Sequence, residues 1–314
     1  MVFEKVVVVG GGTGTYTILR GLKKYPLDLT AVVSMADDGG STGILRDEYG
    51  ILPPGDVRRC LVALSESSEI MKKLFEYRFS KGSMQGHSFG NLFLTAIQEV
   101  VGDYNESLKE TSKLLNVRGK VVPVTLDKVR LCAELENGQN IIGETNIDVP
   151  RHDPSLKIKK VYLKPQAMIN RDAYDAIVSA DKIIIGPGDL YTSVIPNLIV
   201  KGFAEALKQS SAKKIYVCNL MTKHGETNGF SVTDFVSAIN SYVDGLDLDY
   251  VVYHDGLFDG ESLARYALEN ASPVFADVQN FASFKSKFIS GNFTHSSDLI
   301  RHDSDAIASC IVQL

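Results

Sequence analysis

The sequence predicts an α/β fold built on an open parallel sheet, and three observations predict it. Val6, Val7, Val8 and Val9 form an unbroken β-branched run, the pattern of a strand covered on both faces. The run empties into Gly10-Gly11-Gly12-Thr13-Gly14-Thr15, and a helical pattern over Tyr16 to Lys24 follows, with Ile18, Leu19 and Leu22 on one side. The same succession of buried strand, glycine-bearing turn and helix returns at Ile183-Ile184-Ile185-Gly186-Pro187-Gly188.

The first glycine turn carries the clearest chemistry. Glycines let the backbone turn sharply and approach a ligand, because no Cβ stands in the way. A helix N-terminus directly behind them adds free N–H groups and the positive end of the helix dipole. A phosphate is therefore expected on the backbone of Gly11, Gly12, Thr13, Gly14 and Thr15. A valine at Gly12 or Gly14 is expected to spare the fold and abolish binding. The strict dinucleotide fingerprint fails, since Thr15 stands at its last glycine, and no Gly-Lys-Ser/Thr follows to make a P-loop.

A second strand, Leu29 to Met35, ends in Ala36-Asp37-Asp38-Gly39-Gly40-Ser41-Thr42-Gly43. A ribose-binding acid falls in this place, about 20 residues past the glycines, in dinucleotide-binding folds. Asp37 and Asp38 are open to three uses: ribose or sugar hydroxyls, a divalent ion, or turn capping. Arg46 and Pro53-Pro54-Gly55-Asp56-Val57-Arg58-Arg59 come next, with Asp56 expected to cap a helix running to Leu64. Three guanidinium groups close to two glycine turns suit a phosphate ligand.

Residues 56–115 read as helical, with one helix over Leu74 to Phe79 and another after Gly86-His87-Ser88-Phe89-Gly90-Asn91. His87 serves either a ligand or a backbone carbonyl. Residues 117–165 change character: Val121–Thr125, Val129–Leu135 and Ile141–Thr145 are short strand-like runs, with an Asn137-Gly138 turn, and read as an antiparallel insertion without evident chemistry. The parallel pattern resumes with a helix over Asp172 to Ala180 and the strand Lys182–Ile185. That strand opens into Gly186-Pro187-Gly188-Asp189-Leu190-Tyr191-Thr192-Ser193, and a helix is expected from Pro196. Strands at Lys214–Cys218 and Tyr250–Tyr253 end in Asn219-Leu220-Met221-Thr222-Lys223-His224-Gly225-Glu226-Thr227 and in His254-Asp255-Gly256. Five strands thus finish in polar, glycine-bearing loops, and the carboxyl edge of an open parallel sheet is where ligands bind.

Composition excludes several classes. At 314 residues, 44% apolar and 23% charged, the chain suits a soluble α/β protein. A net charge of −5 without a basic run argues against nucleic-acid binding. The four cysteines show no C-x-x-C pair, and the six histidines, His295 among them, have no zinc spacing. No apolar run reaches bilayer length and no signal peptide is expected, so the protein is read as cytoplasmic, without membrane insertion. Nucleophilic catalysis lacks a G-x-S-x-G elbow, and spacing nominates no acid–base pair among Asp37, Asp38, Asp189, Glu226 and Asp255.

Six ordered motifs carry a resemblance: Gly10–Gly14, Ala36–Ser41, Pro53–Arg58, Gly86–Asn91, Gly186–Ser193 and Met221–Thr227. Together they resemble the YvcK-type gluconeogenesis factors of the CofD-like superfamily, whose other branch is the 2-phospho-L-lactate transferases. The resemblance implies one Rossmann-like, three-layer α/β domain over residues 1–314, with the helical segment 56–115 and the antiparallel β insertion 117–165. It further implies a cytoplasmic regulator of carbon metabolism, cell shape and cell-wall synthesis that binds UDP-sugars, notably UDP-N-acetylglucosamine, with no established reaction. The alternative is a transferase holding a nucleoside-diphosphate-linked donor on the same loops, its second substrate entering beside His87 and Asn91. Mg2+ accompanying the nucleotide and a homo-oligomer both stay open. On this reading the binding residues include Ser41, Arg46, Asp56, Arg58, Gly186, Gly188, Asp189, Tyr191, Thr192, Asn219, Thr222 and Glu226. Tyr266 and Arg301 join them through the resemblance alone. Asp189 and the Lys223-His224 pair stand where some relatives carry Ser and Gln-Pro, which changes the charge beside the site.

Overall fold

The structure, a computed structural model, describes residues 3–294 and 299–314. His295 lies outside the described residues. The centre is a seven-stranded sheet in the order β10-β9-β8-β7-β1-β2-β3. Its strands are β1 (Glu4–Gly10), β2 (Leu27–Val33), β3 (Lys120–Pro123), β7 (Lys182–Ile185), β8 (Lys213–Val217), β9 (Tyr250–His254) and β10 (Lys287–Gly291), and every neighbouring pair is parallel. A smaller antiparallel sheet joins β4 (Arg130–Leu135) to β5 (Asn140–Ile142) and β6 (Ile158–Lys164).

The valine run explains the layering. Val7 and Val9 face a core on one side of the sheet, while Val6 and Val8 face a second core on the other. The second core is covered by α1 (Gly12–Leu22) and the helical segment. That segment comprises α2 (Gly40–Tyr49), α3 (Pro54–Leu64), α4 (Glu69–Glu76), α5 (Phe89–Val101) and α6 (Tyr104–Leu114). The first core takes in Leu131, Ala133, Leu135, Val161 and Leu163 of the antiparallel sheet and Ile147 of the short helix α7 (Glu144–Asp148). The insertion is therefore the cover of one sheet face and has no core of its own. Asp38 ties it down: one carboxylate oxygen accepts the Thr145 N–H at 2.9 Å, and the other lies 3.4 Å from the Arg130 guanidinium.

Several expectations need correction. The run at Val121 is the edge strand β3 of the main sheet, parallel to β2, and only β4 to β6 form the antiparallel piece. Residues 144 and 145, read as strand, belong to α7. Asp56 does not cap α3; Pro53 holds that position, and the Asp56 carboxylate accepts the Gly12 N–H instead. The helix expected at Leu74 to Phe79 ends at Glu76, after which Arg78 bridges to Ser88. The helix from Pro196 is broken into Ile195–Leu198 and Phe203–Gln209, with Gly202 left-handed at φ 98° between them. The strand β10 ends in Gly291 and is not among the five strands read from the loop pattern.

Chain order reverses between β1 and β7, so the first and second glycine loops flank the point where ligands bind in open α/β sheets. The two loops touch. A Cβ on Gly14 would strike the carbonyl of Pro187 and crowd the backbone N of Gly188. Gly12 differs: it has φ +66°, and the nearest atom to an added Cβ is Ser193 Oγ at 3.7 Å. The two glycines serve the fold differently, which corrects the expectation that a valine at Gly14 spares it. Gly14→Ala should lower the free energy of unfolding by about 2–4 kcal/mol, and Gly12→Ala by about 1–2 kcal/mol. Urea unfolding of the two variants measures this, and a Gly14→Ala cost equal to or below that of Gly12→Ala would contradict the contact.

Candidate functional site

At the carboxyl ends of β1, β7 and β8 lies a cavity of about 690 Å³. Thr13 and Gly14, in the first turn of α1, form one side of it. N–H groups in a first turn have no partner within their helix, and that of Gly12 is taken by Asp56. Gly188 and Asp189 line the cavity from the loop after β7, and Asn219 and Thr222 from the loop after β8. Asn219 Oδ1 accepts the Gly188 N–H at 3.5 Å, and Thr222 holds Ser272 through its N–H and hydroxyl.

The far side brings together residues distant in sequence. Tyr266, on the helix Gly260–Leu268, donates its hydroxyl to the Ile300 carbonyl at 3.3 Å. Arg301 follows, its carbonyl accepting the Thr294 hydroxyl at 3.0 Å. His302 Nε2 then donates to the Cys218 carbonyl at 3.1 Å, and burial lowers its pKa to about 4, so the ring is a neutral anchor. Tyr266 and Arg301 thus line the same cavity as Thr13 and Gly14, with apolar surface from Leu220, Met221, Leu299 and Ile300 beside them.

A second chamber, of about 290 Å³, lies beside the first. Asp37, Ser41, Asp56, Arg58 and Asn91 line it. Arg59, also in its wall, donates to the Thr13 hydroxyl at 2.7 Å and so links the two chambers. The Asn91 amide bonds Ser41 and Thr42, and its carbonyl oxygen accepts from Arg58 at 2.9 Å. Glu144, Thr145 and Asp148 of α7 complete the wall, and Asp148 lines both cavities.

Carboxylates gathered here resist ionisation. Burial, then the charge of Asp37, pushes Asp56 up to about 6 and Glu144 up to about 9. Burial also raises Asp37, although the Gly39 N–H bonds it at 2.9 Å. Arg58 is lowered to about 10 by burial and by its neighbour Arg59. At the larger cavity Asp148 and Asp189 line the wall and Glu226 is buried behind it, and the three bring oxygens within 4.8 Å of one another, the spacing of a cation site. Lys223 puts a positive charge there itself, its Nζ 3.0 Å from Asp148 and 4.0 Å from Asp189. Both Glu226 oxygens are engaged, one by the Tyr191 N–H and one by the Thr192 hydroxyl, each at 3.1 Å.

Other nominated residues support the walls without lining them. Thr15 is buried and bonds the Gly11 carbonyl; Gly186 turns the chain at φ +73° beneath the loop. Tyr191 and Thr192 are buried against Glu226, and Asp38 faces the insertion. Arg46 spends its guanidinium on the carbonyls of Asp37 and Val129. His87 contacts Ser41 Oγ at 3.1 Å, one step behind the chamber. Sequence reasoning missed Glu144, Thr145 and Asp148. Their only signal was a pair of acids four residues apart, one helical turn, directly after Gly143.

This arrangement has counterparts. A family described as 2-phospho-L-lactate transferase CofD matches residues 6–294. The chain belongs to that family. It is 43% identical to the gluconeogenesis factor of Halalkalibacterium halodurans, over 99% of this chain and 96% of the relative. The gluconeogenesis factor of Bacillus subtilis is 42% identical, over 99% and 98%. A crystal structure of a Bacillus halodurans protein, 42% identical, matches with a TM-score of 0.95 over 99% of each chain. The resemblance drawn from the six motifs therefore holds across the chain, in the gluconeogenesis-factor branch of the CofD family. Among the described residues no helix is long and apolar enough to cross a membrane.

Glu144 gives this site a measurable pH signature. Its carboxyl is neutral in the folded protein at pH 7 and ionised once the chain unfolds, so its burial costs stability there. Below the ordinary value of 4.5 the group is protonated in both states and costs nothing. Glu144→Gln should therefore stabilise by about 3 kcal/mol at pH 7, by nothing near pH 4, and most at pH 9. Urea unfolding at the three pH values tests it; a gain independent of pH would contradict the assignment.

Proposed function

We propose that the larger cavity is a nucleotide-sugar site and that the protein acts as a binding, regulatory member of its family. One observation carries the reading. The first turn of α1, whose N–H groups suit a diphosphate, shares a cavity with an aromatic ring and a guanidinium contributed from the far end of the chain. Tyr266 supplies a face on which a base stacks, and Arg301 pairs with phosphate. The ligand we favour is UDP-N-acetylglucosamine, and the family resemblance is what supports that choice of base and sugar. The relatives' description as gluconeogenesis factors supports a role in gluconeogenic carbon metabolism. We extend the proposal to a cytoplasmic protein that couples nucleotide-sugar supply to cell shape and cell-wall synthesis.

A transferase is the second reading, and the acids of the smaller chamber favour it. Asp56, near pKa 6 and next to the glycine loop, is suited to proton transfer at neutral pH. Family membership supports a donor of the nucleoside-diphosphate type. The two readings separate by the fate of the ligand.

Tyr266→Ala and Arg301→Ala should each weaken UDP-N-acetylglucosamine binding by roughly 1–3 kcal/mol, through a lost stack or a lost charged hydrogen bond. Calorimetry measures the change. Wild-type protein should return the ligand chemically intact after hours, as read by chromatography. Unchanged affinity in both variants would remove the site from this cavity, and turnover abolished by Asp56→Asn would replace the regulator with the transferase.

A further inference from the structure

The amino edge of the sheet carries a third cavity, of about 650 Å³. It opens at the starts of β1, β2 and β3, between α6 and α8 (Arg171–Val178). Leu108 of α6 packs in the second core and Ala173 and Ile177 of α8 in the first, so the two helices flank the edge strand β3 from opposite faces. Lys5 stands near the start of β1 and Gly10 at its end, about 16 Å apart along the strand. The cavity shares no lining residue with the other two.

Strand alternation gathers polar groups on one face of this corner. Lys5, Thr30 and Lys120 each stand two residues before a valine of the first core (Val7, Val32 and Val122), and Asp28 stands two before Thr30. In register, Lys5 is opposite Asp28, and Thr30 lies between Val7 and Lys120. Thr30 lines the cavity at only 8% exposure, and among the described residues no group of the protein takes its hydroxyl. A buried hydroxyl without a partner calls for one from outside the chain. Charges are left over as well. Lys109 and Lys113 are held by Glu106 and Glu110, each at 2.6 Å, and Asp175 by Arg171 at 2.9 Å. Asp172 lies in the field of Lys109. Among the described residues, Lys5 and Lys120 have no carboxylate within 4.0 Å and Asp28 has no cation, although Lys5 and Asp28 are cross-strand neighbours.

The edge itself does not suit an added strand. The Val124 N–H reaches the Val33 carbonyl at 2.9 Å, so by alternation Val121 and Pro123 are the residues of β3 that face outward. Pro123 has no N–H, and its carbonyl accepts the Asn170 amide at 3.2 Å. One residue is too short a template for a peptide, whereas the volume fits a molecule of metabolite size. Unpaired charges of both signs around a free hydroxyl match a ligand that carries both signs itself. A pure anion would leave Asp28 without a partner, and a pure cation would leave Lys5 and Lys120 without one. Val7, Val122 and Ala176 add apolar surface beside them. We infer that this cavity binds a small zwitterion with an apolar body, of the α-amino-acid class, its carboxylate held by Lys120 and the Thr30 hydroxyl and its ammonium by Asp28.

Titrating the 15N-labelled full chain with leucine, 4-methylpentanoate and 3-methylbutylamine tests this, because the three share one apolar body and differ in charge. Leucine should move the amide resonances of Thr30, Lys120 and Val121 saturably, leave those of Thr13 and Gly14 in place, and bind at least about tenfold tighter than either singly charged probe. Thr30→Val and Lys120→Met should each weaken leucine roughly three- to tenfold, and Asp28→Asn should erase the preference for leucine over 4-methylpentanoate. Unchanged dispersion of the remaining resonances is the control for folding. No saturable movement at the three amides, shifts confined to Thr13 and Gly14, 4-methylpentanoate binding as tightly as leucine, or leucine affinity unchanged in the Thr30 and Lys120 variants would each overturn the zwitterion site. The nucleotide-sugar reading stands or falls apart from it, since no residue is shared.

Discussion

The backbone of α1 meets the backbone of the loop after β7 at Gly14, and no side chain fits between them. This contact fixes the geometry of the carboxyl edge. It holds the first turn of a helix against the reversal point of the sheet, where Thr13 and Gly14 line a cavity. Alternating valines behind it anchor β1 in two cores at once, so the glycine turn is carried on a strand buried on both faces. Rigid support beneath a flexible turn is what a phosphate site requires, since donors must be in place before the anion arrives.

Around that seat the protein gathers acids. A chain of net charge −5 places Asp37, Asp56, Glu144 and Asp148 in one chamber and Asp148 and Asp189 in the next, with Glu226 buried behind them. Burial raises the pKa of Asp37, Asp56 and Glu144, and neighbouring carboxylates add to it. The protein offsets part of the cost internally, with Lys223 between Asp148 and Asp189 and with hydrogen bonds to Glu226. Such unfavourable clusters are found where function, rather than stability, sets the residues. Asp148 and Lys223 also bridge α7 to the loop after β8, so the insertion and the sheet share the wall of the site.

Much of this was legible in the sequence, for a physical reason. Buried strands and glycine turns are local patterns, and a parallel sheet brings their ends to one edge whatever the details. Thr13, Asp37 and Asn219 could be read that way. The insertion could not. Glu144 and Asp148 reach the site only because Asp38 and the shared core fold β4 to β6 back over the sheet, and no local pattern encodes that placement. Arg46 shows the reverse error: a guanidinium near glycine loops in sequence is consumed by the carbonyls of Asp37 and Val129. Tyr266 and Arg301 carried no signal of their own beyond the resemblance, because their proximity depends on the pairing of Tyr266 with the Ile300 carbonyl.

The central claim is that the first turn of α1 receives the diphosphate, and the backbone amides of that turn report on it directly. Titrating 15N-labelled protein with UDP-N-acetylglucosamine should move the Thr13 and Gly14 amide resonances furthest, downfield, as charged hydrogen bonds form. Signals from those two residues that stay in place at saturating ligand, while others shift, would contradict the account.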